Sequence, residues 1–343
     1  MSKLVRFSTD DTTYYSLPAN AAELSSNGEV VDDSILGQTF ESQFTSLINW
    51  EVGTDAIYKG IPGYQVCLLK EGTSTATTSE AMELVSGKTY KTTDTSKDIW
   101  DASVTPVIYD DGSDVTDEVI EFNYLLGQVT FDSGYTIVGD ITADVNYLPV
   151  AVIGRFRSFT LTQSVAAIDD SDVQTLKANG GYRVNKQGLR SVTLEASGIF
   201  DATEDFHDQL ATRDSFVLEF QADGDGNSKA RGYFRIGTAS QSGAVGDTEE
   251  ETVNFNLNVP SSDYKPFVWS HNSSSTLNQA ILIALNAFND ESDIYVQYLP
   301  NGVGGTGAKE GVAVVTDISL SSSIDDMPRF TVTVTGDGSL SDV

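Results

Sequence analysis

The stretch V-D-D-S-I-L-G-Q-T-F, Val31 to Phe40, is spelled a second time as I-D-D-S-D-V-Q-T-L, Ile168 to Leu176. Each copy carries an acidic D-D-S turn and a Q-T pair. Each is followed by a strand-like run ending in an aromatic, Trp50–Tyr58 after the first and Ser191–Phe200 after the second. A further pair of matches, Gly232–Val259 and Gly311–Gly336, reads in both cases as strand, Ser-rich acidic loop, strand. One unit used twice in a chain points to a symmetric assembly more than to catalysis.

Most of the apolar signal has period two, as half-buried strands require. Val192, Leu194 and Ala196 alternate with Thr193, Glu195 and Ser197, and Phe330, Val332 and Val334 alternate with Thr331, Thr333 and Thr335. Val253, Phe255 and Leu257 alternate with Asn254, Asn256 and Asn258. Asn is a poor strand former, so three on one face suggest a sheet surface selected for polarity. Two stretches read as helix. Asp201-Ala-Thr-Glu204 has the form of a capping box ahead of Phe206 and Leu210. The other runs from about Thr276 to Phe288, with Leu277, Ile281, Ala284, Leu285 and Phe288 as its apolar stripe.

Each helix is followed by a strand, Phe216–Ala222 and Ile294–Leu299, and then by a Gly-rich turn. The chain is therefore expected to be mainly β, with a strand, helix, strand, hairpin, strand unit present in two copies. The spacing predicts nesting: residues 1–60 and 264–343 make one discontinuous domain, and residues 151–260 make the second copy inside it. Residues 61–150 form a separate β-rich insert, expected on the exterior. Within it, Asp111-Gly112 after Val107-Ile-Tyr-Asp110 predicts a tight hairpin.

Composition narrows the function. The chain has 343 residues and a net charge of −30, with 20 basic residues against 50 acidic ones. That balance argues against gripping nucleic acid, because phosphate-binding surfaces need Lys and Arg. It suits a surface that DNA passes without sticking, and equally an acidic coat that keeps a protein soluble. The single cysteine, Cys67, leaves no intrachain disulfide framework and no Cys-rich zinc site. The opening residues lack a signal peptide's apolar region, and no apolar run is long enough for a membrane span. Synthesis in a cytoplasm, with no membrane anchoring, is the expectation.

Chemical motifs are weak. Gly302-Val-Gly-Gly-Thr-Gly307 matches G-x-G-x-x-G but leads into a strand-like run rather than a helix, so it reads as a hairpin loop. Asp223-Gly-Asp-Gly-Asn227 opens like a calcium loop but has Ser228 and Phe234 where that loop needs Gly and Glu. His207 and His271 have no metal-ligand spacing to other ligands. No G-x-S-x-G, H-E-x-x-H or P-loop occurs. The carboxylates are numerous, yet nothing selects two of them for glycoside hydrolysis. The expectation is a protein that is not an enzyme, with no cofactor, metal or catalytic residues.

The run from Arg157-Ser-Phe-Thr-Leu161 through Gly188-Leu-Arg-Ser-Val-Thr-Leu-Glu-Ala-Ser-Gly-Ile-Phe200 resembles the major tail protein, or tail tube protein, of long-tailed (siphovirus-type) bacteriophages. The closing F-T-V-T-V-T-G-D-G after Arg329 is similar to that family's C-terminal strands. The insert's Y-D-D-G, G-Q-V-T-F and V-N-Y-L-P are similar to an element that accompanies some members. The resemblance covers most of the chain through degenerate motifs. It implies β-sandwich units whose inner sheets join into a ring, with rings stacked through long loops into a hollow tube. The implied partners are further copies of the chain, a tape-measure protein, tail-end proteins and DNA in transit. Most members use one unit per chain and six chains per ring. Two units per chain would let three chains build a pseudo-hexameric ring, and six remain open if the duplication is only apparent. The implied location is the virion tail.

On that resemblance the candidate lumen-facing residues are Glu51, Asp55, Thr193, Glu195, Glu219, Gln221, Asn254, Asn256, Thr331 and Thr333; plain outer solvent face is the alternative for each. The segment Gln174–Arg190 is locally basic in an acidic chain. Its Lys177, Arg183, Lys186 and Arg190 are candidates for an inter-ring loop, with a solvated hairpin loop as the alternative. The matching loop of the first copy is Gly37–Asn49. Two rivals remain: a distal-tail or baseplate ring protein on the same fold, and a carbohydrate-binding, adhesin-like β protein.

Overall fold

The computed structural model describes residues 3–32, 43–58, 63–201, 203–204, 206–222, 226–244, 248–259, 265–271 and 277–343. Residues 37–42 of the first-copy loop, 223–225 of the calcium-like turn and Thr276 lie outside them. The opening passage carries β1 (Leu4–Ser8), β2 (Tyr15–Ser16), β3 (Ala19–Asp32) and β4 (Gln43–Ile57). Next come β5 (Cys67–Glu71), β6 (Thr75–Ser86), β7 (Thr89–Thr92), β8 (Val107–Asp110) and β9 (Ser113–Asp114). They are followed by β10 (Val119–Asn123), β11 (Gln128–Phe131), β12 (Ile141–Tyr147) and β13 (Val150–Val152). The middle of the chain holds β14 (Arg155–Asp169), α1 (Val173–Ala178), β15 (Asn185–Ile199) and α2 (Phe206–Thr212). After α2 come β16 (Phe216–Gln221), β17 (Ser228–Ser242), β18 (Glu250–Leu257) and β19 (Phe267–His271). The chain closes with α3 (Gln279–Asp290), β20 (Ile294–Leu299), β21 (Lys309–Ser323), β22 (Arg329–Gly336) and β23 (Ser341–Asp342). The protein is mainly β, as its period-two patterning predicts.

Two compact units divide the chain. The first contains residues 1–64, 158–194 and 276–343, and the second contains 65–157 and 195–275. In the first unit an antiparallel ladder runs β1, β20, β21, β22, β4, β3. Alternation sets its faces: Val52, Thr54 and Ala56 of β4 and Phe330, Val332 and Val334 of β22 are buried. Helix α3 packs against β1, β20 and β21 of this ladder. Its Asn278 cap accepts the Ala280 N–H at 2.8 Å, and this fixes the start at Gln279. Leu277, Ile281, Ala284, Leu285 and Phe288 are all buried, the larger ones contributing about 1.5–3 kcal/mol each.

The second unit repeats the ladder as β5, β16, β17, β18. The end of β15 lies beside β18, where Ser197 and Thr252 share a hydroxyl hydrogen bond of 2.8 Å. Even the irregularities recur. A bulge interrupts β21 against β22 between Val315 and Asp317, and another interrupts β17 against β18 between Ile236 and Thr238. The short β23 pairs with the start of β21 as β19 pairs with the start of β17. Helix α2 follows the long hairpin here as α3 precedes β20 there. It begins at Phe206, and the Asp201 side chain accepts the N–H and hydroxyl of Thr203 in a local turn.

The second unit also holds a seven-stranded sheet in the order β10, β11, β7, β6, β12, β8, β9. Trp100, Ile108, Val129, Phe131, Ile141 and Ala143 form its core. The Asp111-Gly112 hairpin forms with positive φ at both residues, the two-residue turn that matches strand twist.

Candidate assembly surfaces

Period-two alternation that buries one side of the first unit's ladder leaves the other side polar. Register puts Asp55 opposite Thr331, Gly53 opposite Thr333 and Glu51 opposite Thr335. The face continues onto β21 through Asp317, Ser319 and Ser321, and onto β14 through Thr160, Thr162 and Ser164. Glu51 and Thr160 are exposed and the others half-buried, except Thr335, which is buried. Asp55 sits 3.4 Å from Arg329, while burial raises the Asp317 carboxyl above its ordinary value. The face is thus hydroxyl-rich, with spaced acids. Four of the candidate lumen residues, Glu51, Asp55, Thr331 and Thr333, share it.

The corresponding face of the second unit carries Glu195 and Ser197 from β15, and Thr252, Asn254 and Asn256 from β18. Asn254 donates to the Thr238 hydroxyl at 2.8 Å. Thr193 is exposed on β15 within the first unit. Glu219 lies elsewhere. It is 1% exposed and receives Arg231 Nε at 2.7 Å. Arg231 also reaches Asp98 at 2.7 Å and the Leu125 carbonyl at 2.9 Å. Burial raises the Glu219 carboxyl, but the Arg231 and Lys229 charges outweigh it and hold the group below its ordinary value. Its partner role is invisible to alternation, since every residue of Phe216–Phe220 is buried. Gln221, half-buried, donates to Glu219 at 2.6 Å. An Arg between two acids, drawn from positions far apart in sequence, left no local signal.

The basic segment is not a bare loop. Asp172 caps α1 with a full capping box, so residues 173–178 are helical and Lys177 is exposed on that helix. Arg183 pairs with Glu29 and with Asp169 at 3.5 Å, and Lys186 pairs with Asp170. Arg190 lies 3.0 Å from Glu291, donates to the Asn289 carbonyl at 3.1 Å and rests over the Phe288 ring. Three of the four candidate inter-ring cations thus have acidic partners in their own chain, which leaves less charge for an acidic rim.

A cleft of about 600 Å³ in the second unit is lined by Lys91, Asp98, Gln128, Lys229, Ser270 and His271 among others. His271 stacks on Trp269, and burial lowers its imidazole to about 4, so it is neutral at neutral pH. Its Nδ1 lies 3.0 Å from Ser228 Oγ, but Ser228 is fully buried and out of a substrate's reach. Among the described residues no group of three or more His, Cys, Asp or Glu could hold a metal ion, and no helix is long and apolar enough to cross a membrane.

Comparison with known proteins gives little to build on. No family model matches the chain, and no curated protein does. Slight likeness to solved structures exists. A chain of the virion of a native gene transfer agent (GTA) particle is 15% identical over 36% of this chain and 89% of its own, with a TM-score of 0.29. A chain from the tail of an empty GTA particle, solved by helical refinement with C6 symmetry, is 14% identical. It covers 36% of this chain and 87% of that one, with a TM-score of 0.30. Scores of this size do not establish a shared fold.

Proposed function

We propose that the chain is a non-enzymatic, self-assembling structural subunit of a phage-like tail, built from two tube-type units and a β-rich insert. Three chains close a pseudo-hexameric ring, rings stack into a hollow tube, and DNA crosses its acidic, hydroxyl-lined bore without specific binding. The observation that carries this reading is the twice-used ladder, β1-β20-β21-β22-β4-β3 and β5-β16-β17-β18 with β15, in which β22 with β4 and β18 with the end of β15 each turn one apolar and one polar side. Open sheets of this kind leave edges with unpaired N–H and C=O groups, and closure into a ring satisfies them. Acidic groups around a bore repel the phosphate backbone and release no counterions, so passage stays free. The nested division at residues 1–60 with 264–343, 61–150 and 151–260 belongs to this proposal. So do the tape-measure and tail-end partners and the virion as location.

Negative-stain microscopy with light scattering, at several protein and salt concentrations, tests it. Rings or tubes with a central channel are expected. A glycan-binding protein that never associates would favour the adhesin reading.

A further inference from the structure

The two ladders differ in what pairs with one edge of their long central strand. The long strand β21 changes partner at its bulge. Before the bulge it pairs with β20 over Lys309–Ala313, and after it the same edge pairs with β14 over Asp317–Ser323. Strand β14 belongs to the hairpin of the second repeat, since its D-D-S turn at Asp169–Ser171 repeats the one at Asp32–Ser34. The first unit therefore holds its own β3–β4 hairpin and also residues 158–194 of the β14–β15 hairpin. In the second unit β17 pairs with β16 over Lys229–Phe234, and beyond its bulge the equivalent edge, Thr238–Ser242, has no strand partner among the described residues. The outer edge of β3, the counterpart of β14, is also unpaired among them.

Burial follows the same asymmetry. On β21, Ile318, Leu320 and Ser322 are 0%, 1% and 7% exposed beneath β14. Their counterparts on β17 are Ala239, half-buried, and Gln241 and Gly243, both exposed. On β14, Leu161 and Gln163 are buried, whereas Leu24 is half-buried and Ser26 exposed on β3. Neither free edge is protected. Exposed edges are ordinarily blunted by Lys, Pro or inward charges. Yet Ala19–Gly28 has Glu23 as its one charged residue, and Thr238–Ala244 has none.

Resting on the assembly reading above, we infer that β3 of one copy pairs antiparallel with Thr238–Ala244 of β17 in a second copy. This junction repeats, between chains, the β14·β21 junction that each chain contains. The internal register carries over. Thr162 faces Ser319 and Ser158 faces Ser323 in the internal junction. Aligning the D-D-S turns and the two bulges then sets Ser25 opposite Ser240 and Ala21 opposite Ala244 of the second copy. The contact is head-to-tail, each chain offering one donor edge and one acceptor edge, as a closed ring requires. Its inward residues, Ala22, Leu24, Ala239 and Gln241, offer less apolar surface than Phe159, Leu161, Ile318 and Leu320, so it is the more readily reversed of the two junctions.

The test mixes two chains in a Cys67→Ser background, one with Ser25→Cys and one with Ser240→Cys, under mild oxidation. Paired residues bring their Cα atoms to about 4.5–5.5 Å, within disulfide reach. A control with Ala244→Cys shifts the thiol four residues, about 13 Å along the strand. The expected result is a covalent heterodimer at least tenfold more abundant for Ser25→Cys with Ser240→Cys than for the shifted pair. Equal yields, or no disulfide while scattering shows assembled particles, would overturn the junction and leave the assembly reading standing. Failure to associate at any concentration would overturn both.

Discussion

Replacing Arg231 by Met exposes how residues 98–125 are held to β16 and β17 within the second unit. Arg231 is 1% exposed and meets Glu219 and Asp98 at 2.7 Å each, with the Leu125 carbonyl at 2.9 Å. Asp98 lies between β7 and β8 and Leu125 between β10 and β11, while Glu219 and Arg231 lie on β16 and β17. Removing the cation leaves Glu219 buried with Lys229, 3.8 Å away, as its remaining counter-charge. Breaking a buried pair from one side costs about 3–5 kcal/mol, whereas exchanging both partners for apolar groups of similar volume is near neutral. With a urea slope of roughly 1–3 kcal/mol per molar, Arg231→Met lowers the second unit's midpoint by about 1–5 M. The doubly substituted Arg231→Met, Glu219→Leu chain recovers most of that loss. Urea titration followed by tryptophan fluorescence reads it, since Trp100 and Trp269 lie in the second unit and Trp50 in the first. The effect also depends on pH. Because Glu219 is held below its ordinary value, its contribution is complete above the unfolded carboxyl value and is lost as pH falls through the folded one. The gap between wild type and Arg231→Met therefore narrows in acid. A single variant within 1 kcal/mol of wild type, or a double variant no better than the single, would refute the reasoning.

Other perturbations have equally definite outcomes. Burial pushes the Glu71 carboxyl up to about 7 although it accepts the Val217 N–H at 2.8 Å. Its ionisation opposes folding as pH rises from the unfolded value near 4.5 through 7, so Glu71→Gln should raise the melting temperature at pH 8 and hardly at pH 4. A Cβ on Gly336 would lie 2.3 Å from the Trp50 ring, itself 2% exposed. Gly336→Ala is expected to destabilise the first unit by about 1–3 kcal/mol in denaturant titration. If the polar faces line a bore, assembled Glu51→Lys, Glu195→Lys particles should retain double-stranded DNA at low salt and release it at high salt, unlike wild type, in a co-sedimentation assay.

Strand positions and buried faces were legible because alternation is written residue by residue: Val52, Thr54 and Ala56 face inward wherever the sheet goes. The Leu277–Phe288 stripe likewise needs only helical spacing. What escaped depends on meetings between distant residues. Glu219 reads as one more outward polar position until Arg231 and Asp98 come beside it. Arg183, Lys186 and Arg190 read as spare cations until Glu29, Asp169, Asp170 and Glu291 come within reach. Duplication was visible in the D-D-S turns, but that β14 fills the edge of β21 while its counterpart edge on β17 stays open is a matter of pairing alone.

The most direct test of the central claim is electron cryo-microscopy of the purified chain at rising concentration, with subunits counted in each ring. The account predicts closed rings of three chains presenting six equivalent ladders around one channel, stacked into tubes. Rings of six chains in which one ladder per chain lines the channel, or a protein that stays monomeric throughout, would contradict it.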